Sequence, residues 1–127
     1  MINFEFVVLY VEDIAASKKF YSELLGRKPL ELSPTFARFP SETGAILELC
    51  ERRSVLPPSS VSGGGAELCL RLADSASVLS LFEEWKRMGL KFAQEPTPMV
   101  FGLTFVALDP DAHRIRVFAA GQAGHGM

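Results

Sequence analysis

The chain states one structural pattern twice, and that duplication limits what it can fold into. A strand is expected over Phe4 to Val11, where "FEFVVLYV" is rich in aromatic and β-branched residues. Asp13 can cap the helix that follows, in which Ile14, Phe20, Tyr21, Leu24 and Leu25 recur at helical spacing until Gly26 ends it. Three short strands are then expected, Lys28 to Leu32, Thr35 to Phe39 and Ala45 to Glu51, giving the order β-α-β-β-β. The order starts again with a strand over Ala66 to Leu72 and a helix capped by Asp74 or Ser75. That helix carries Val78, Leu81, Phe82, Trp85 and Met88 on one stripe and stops at Gly89. Strands over Lys91 to Glu95, Leu103 to Leu108 and Arg114 to Ala119 complete the second unit.

Between the two units lies "SVLPPSSVSGGG", whose Ser, Pro and Gly residues favour neither helix nor strand. The expected organisation is one domain over 1–127, with a first module over 1–53, a linker over 54–65, a second module over 66–120 and a flexible tail over 121–127. A sheet with a single helix has only one face covered, so two such units are expected to enclose a cleft between their other faces. The linker is long enough for the modules to pair within one chain or to be exchanged in a homodimer.

Thirteen Lys and Arg against fifteen Asp and Glu leave a net charge of −2 with no basic run. A phosphate backbone would find nothing to follow here, so nucleic acid is not an expected partner. The opening "MINFEFVVLYVED" has neither a basic start nor a long apolar stretch, which predicts no signal peptide and no membrane span. A cytoplasmic protein is expected. Cys50 and Cys69 lack the paired spacing of a zinc or redox motif and are expected as reduced, buried thiols.

Two segments resemble those of a known family. "VEDIAASKKFYSELLG" is similar to the V-x-D-x-x-x-S-x-x-FY-x-x-x-LG opening of the vicinal oxygen chelate superfamily, the glyoxalase, bleomycin-resistance and extradiol-dioxygenase group. "FVALDPDAHRIRVF" resembles its closing F-x-DPDG-x-x-x-E signature, and with the paired modules the likeness spans residues 2 to 119. The resemblance implies an α+β fold in which paired βαβββ modules form a curved mixed sheet around a cleft. In metal-dependent members four inward-facing strand residues hold a divalent metal, and their positions fall here on Phe6, Glu48, Glu67 and Arg116. Only Glu48 is of the usual type.

Phe6 has no lone pair for a metal, and the Arg116 guanidinium stays protonated and repels a dication. The family's metal is therefore expected to be lost, leaving no cofactor. Within "HRIRVF", Ile115 and Val117 facing a core put Arg114, Arg116 and Phe118 on the opposite face. Arg116 is expected to face the cleft and pair with Glu48, Glu67 or both. Two readings stay open: a buried ion-pair cluster that replaces the metal as a cross-link, or a group that also contacts a ligand. Breaking such a cluster by removing one partner typically costs about 3–5 kcal/mol.

Other residues are weaker candidates. His113 lies three residues before Arg116 and on the opposite parity, which reads as a turn histidine, and His125 lies in the tail. Neither supplies a base for a Ser-His-Asp or Cys-His set near the cleft. Gly63 to Gly65 are followed by no GK[ST] and open no helix, so they read as linker. Trp85 is expected in the core. The register of Arg38 cannot be fixed from the sequence.

The leading expectation is a metal-independent, homodimeric small-molecule-binding protein. Phe6, Val8 and Tyr10 would supply apolar surface, and Glu48, Glu67 and Arg116 charge recognition. With two carboxylates against one arginine, a ligand bearing a positive group is favoured. The alternative is a lyase, isomerase or dioxygenase of the same superfamily, with a rearranged metal site or with Glu48 or Glu67 as general base. A vestigial domain with a protein partner is a third reading.

Overall fold

The structure, a computed structural model, describes residues 2–61 and 63–120. The chain divides into two compact units, Met1–Gly63 and Gly64–Met127. In the first, β1 (Val7–Val11) leads into helix α1 (Ile14–Leu25), followed by β2 (Leu30–Ser33), β3 (Phe36–Pro40) and β4 (Ile46–Glu51). The strands form one sheet in the order β1-β4-β3-β2, with β1 parallel to β4 and the other pairs antiparallel. The second unit repeats this with β5 (Glu67–Leu72), α2 (Ser75–Arg87), β6 (Lys91–Met99), β7 (Gly102–Leu108) and β8 (Arg114–Ala120), in the order β5-β8-β7-β6. These are the two βαβββ units of the expected α+β fold.

Both helices begin on a side-chain cap. Asp13 accepts a hydrogen bond from the Ala16 N–H at 3.1 Å, and Asp74 accepts one from the Ser77 N–H at 2.8 Å. Gly26 ends α1 in the left-handed region at φ +65°, where a side chain would be strained. Each helix then covers one face of its own sheet. Tyr21 of α1 packs on Phe39 with ring centroids 6.3 Å apart, above a layer of buried Val11, Ala37, Leu47 and Leu49. In the second unit Phe82 and Trp85 both meet Phe105 at 5.5 Å, so Trp85 is a core residue, as expected.

Strand alternation leaves a second face on each sheet. In the N-terminal unit it carries Val8, Tyr10, Arg38 and Glu48, and in the C-terminal unit Cys69, Thr104, Arg116 and Phe118.

Several boundaries differ from expectation. β1 starts at Val7 rather than Phe4, and Ile2 and Phe4 are almost fully exposed. β6 runs to Met99 through Pro96 and Pro98. It is an edge strand whose register shifts between Phe92 and Gln94 and again between Gln94 and Thr97, a position where missing N–H donors do not break a ladder. Met88 caps α2 and is exposed instead of packing on its stripe. Among the described residues no helix is long and apolar enough to cross a membrane.

Candidate functional site

The helix-free face of each sheet holds an arginine bonded to a glutamate and set against an aromatic ring. In the N-terminal unit the β3–β4 register puts Arg38 directly opposite Glu48. Arg38 Nε donates to Glu48 Oε2 at 2.5 Å, and its Nη2 reaches the same oxygen. Glu48 is 1% exposed, whereas the Arg38 side chain keeps 33% of its surface. The guanidinium lies over Phe6, with Cζ 5.5 Å from the ring centroid, a cation–π distance.

In the C-terminal unit Arg116 grips Glu67 with two parallel bonds, Nε to Oε1 at 2.9 Å and Nη2 to Oε2 at 3.0 Å. Its Nη1 donates to Gln94 Oε1 and Thr104 Oγ1, both at 3.2 Å. The Thr104 hydroxyl in turn donates to the Val117 carbonyl at 2.8 Å, which fixes its free lone pairs toward the arginine. Phe101 stands 5.7 Å below the guanidinium, and Arg114 Nε lies 3.5 Å from Glu67 Oε2. The hydrogen bond from Arg116 holds the Glu67 carboxyl below the usual glutamate range, outweighing the opposing effect of burial. A general base tuned to abstract protons near neutrality needs a shift in the other direction.

The two sites occupy matching places. Glu48 on β4 is level with Val8 on β1, and Arg116 on β8 is level with Cys69 on β5. Phe6 lies two residues before Val8, just ahead of β1, and Glu67 two residues before Cys69, at the start of β5. The four positions carried over from the metal-dependent pattern therefore correspond pairwise by register.

Of the expected pairings of Arg116 with Glu48, Glu67 or both, the structure has Glu67 alone. Arg116 bonds Glu67, while Glu48 bonds Arg38. Arg38 escaped the sequence reading because a one-residue slip of β3 would have turned it to the helix side. Arg38 compensates Glu48, and Glu67 faces both Arg116 and Arg114, which removes the reason to favour a positively charged ligand. Phe101, Gln94 and Thr104 were also missed. Thr104 and Gln94 share the face of Arg116 by strand pairing, a relation that appears only once β6, β7 and β8 are aligned.

A divalent metal does not fit these residues. Phe6 offers no donor atom, and each carboxylate is already bonded by a guanidinium that would repel a dication. Elsewhere, Asp109, Asp111 and His113 bring one ligand atom each within 4.8 Å of one another in the turn before β8. There Asp109 Oδ1 accepts from the Asp111 and His113 N–H groups, both at 2.8 Å, and Oδ2 pairs with His113 Nδ1, also at 2.8 Å. This is a turn clamp, and it accounts for His113 as the turn histidine expected. His125 lies outside the described residues.

Tyr10 sits level with Cys50 on the helix-free face, beside Val8. Cys50 is buried, but Cys69 is exposed, contrary to expectation, because it shares a face with Glu67 and Arg71 and alternates with the apolar Leu68 and Leu70. Both thiols are pushed above the ordinary cysteine value, chiefly by desolvation of the sulfur.

The family model of the glyoxalase/bleomycin resistance protein/dioxygenase superfamily matches residues 3–117. The chain belongs to this superfamily. Within it, the chain is 30% identical over 113 residues to the phenazine antibiotic resistance protein EhpR of Enterobacter agglomerans, covering 87% of this chain and 86% of that protein. It is 45% identical to protein ATC0852 from Agrobacterium tumefaciens, with a TM-score of 0.87 over 95% of this chain and 99% of the other. A glyoxalase/bleomycin resistance protein/dioxygenase from Nocardioides superposes with a TM-score of 0.83 at 20% identity, covering 100% of this chain and 89% of the other, which speaks to the fold.

Proposed function

We propose that this protein binds a small planar organic molecule without a metal, and that it sequesters the molecule rather than transforming it. The observation that carries the reading is the pair of arginine–carboxylate bonds that occupy Glu48 and Glu67, two of the superfamily's metal-ligand positions, each beside an aromatic ring. Such faces offer π surface and guanidinium planes for stacking, and a few fixed polar groups for orientation. Phe6, Val8 and Tyr10 supply the apolar surface of the N-terminal face beside Glu48, and Phe118 that of the C-terminal face, where buried Phe101 backs Arg116. The likeness to a phenazine resistance protein supports a fused aromatic ligand.

The reading extends to a cytoplasmic homodimer, in which a second copy would cover exposed apolar residues such as Ile2, Phe4, Leu30 and Leu32. The test is calorimetric titration with phenazine in buffer with and without EDTA. Saturable binding of equal strength in both supports the proposal. Binding that EDTA abolishes, or no binding of phenazine, overturns it.

A further inference from the structure

The two arginines differ in what they have left to give. Every nitrogen of the Arg116 guanidinium is engaged, by Glu67 through Nε and Nη2 and by Gln94 and Thr104 through Nη1. Arg38 spends Nε and Nη2 on a single oxygen of Glu48, and its Nη1 meets no acceptor among the described residues. Glu48 is the counterpart of this imbalance. Its Oε2 takes both bonds, and its Oε1 accepts nothing from any described residue, although the side chain is 1% exposed. Oε1 is not itself fully enclosed, so a ligand can reach it, and an acceptor without a donor on so buried a side chain calls for a partner.

We infer that the Arg38–Glu48 pair reads the polar edge of a neutral aromatic ligand, with Nη1 donating to an acceptor on that edge and Oε1 accepting from a donor. The inference rests on the binding reading above and names the ligand class that the N-terminal face takes. The half-exposed Phe6 ring beside the guanidinium gives the ligand a surface to stack on, so ring and polar edge meet at one place. Charge sets the preference for a neutral edge. Glu48 already compensates Arg38, so an added carboxylate would gain little from the guanidinium and would stand beside a buried anion. A carboxamide matches both unspent groups, since it carries one acceptor and two donors.

The test compares three probes, phenazine, phenazine-1-carboxamide and phenazine-1-carboxylate, by calorimetry on the full chain. The carboxamide should bind about fivefold to tenfold more tightly than phenazine, the gain from one or two net hydrogen bonds, and more tightly than the carboxylate. The readout is this affinity ratio. Arg38→Lys should cut it, because an ammonium cannot hold Glu48 and reach the ligand in the same fork geometry. Because Arg38→Lys can leave Glu48 poorly held, a second protein with Arg38→Met and Glu48→Met together removes the pair without stranding either charge. In that protein the ratio should fall to about one. Equal binding of phenazine and the carboxamide by the unaltered protein, a preference for the carboxylate, or an unchanged ratio in the double variant would each overturn the inference. Failure of all three probes to bind would bring down the binding reading itself, and the inference with it.

Discussion

Replacing Arg38 with methionine should destabilise the protein more than replacing Arg116, although Arg116 makes the larger set of hydrogen bonds. Each change strands a carboxylate, and the outcome depends on what that carboxylate has left. Glu48 is 1% exposed, and Arg38 is its only cationic partner among the described residues, so it is left as a bare buried charge. Breaking a buried pair in this way costs about 3–5 kcal/mol. Glu67 keeps 23% of its side-chain surface and has Arg114 Nε 3.5 Å from Oε2, so water and a second guanidinium offset part of the loss. Arg116→Met should then cost about 1–3 kcal/mol, the range for polar groups deprived of a partner. Urea unfolding followed by circular dichroism reads both values from the shift in midpoint at an unchanged slope. Arg38→Met combined with Glu48→Met should regain most of the single-variant loss, because apolar groups can replace a buried ion pair at little net cost. If Arg116→Met proves the more damaging change, or the double variant is weaker than Arg38→Met alone, the reasoning about Glu48 is refuted.

Acid should weaken the Arg116 clamp in a defined direction. The Glu67 carboxyl lies lower in the folded chain than in the unfolded one, so its contribution is complete above the ordinary value of about 4.3 and is lost as pH falls through the lower folded value. Urea midpoints measured from neutral pH downward should show this slope in the unaltered protein and a shallower one in Glu67→Gln. Asp109→Ala strands the Asp111 and His113 N–H groups that its Oδ1 now accepts, and should cost about 1–3 kcal/mol by thermal unfolding, with Asp109→Asn recovering part. A Cβ at Gly26 would meet no atom within 4 Å, so Gly26→Ala should cost only the left-handed backbone strain, about 1–2 kcal/mol on denaturant unfolding.

The duplication was legible because its punctuation is chemical: Asp13 and Asp74 cap the helices, and Gly26 and Gly89 close them. The face of Arg116 was legible for a similar reason, since Ile115 and Val117 are fully buried and alternation leaves it no other side. What failed was everything that depends on how strands align. Arg38 lies between Ala37 and Phe39, both buried, and this flanking pattern was the signal that could have turned it toward Glu48. Cys69 offered the same kind of signal, flanked two residues away by Glu67 and Arg71, but the apolar run around it obscured the alternation. The prolines of β6 read as a strand end because the sequence does not say which strand is at an edge. Phe101 belongs to the hairpin turn between β6 and β7, where no periodicity exists to predict that its ring would lie under Arg116.

The central claim is that guanidinium groups have replaced the metal as partners of Glu48 and Glu67, and metal retention tests it most directly. Tag-free protein would be incubated with zinc, nickel, cobalt, iron and manganese in turn, desalted, and analysed by mass spectrometry for bound metal. The account predicts that no ion is retained in a stoichiometric amount dependent on Glu48 or Glu67. Retention of about one equivalent per chain that disappears in Glu48→Gln or Glu67→Gln would contradict it, because those carboxylates would then be binding a cation rather than Arg38 and Arg116.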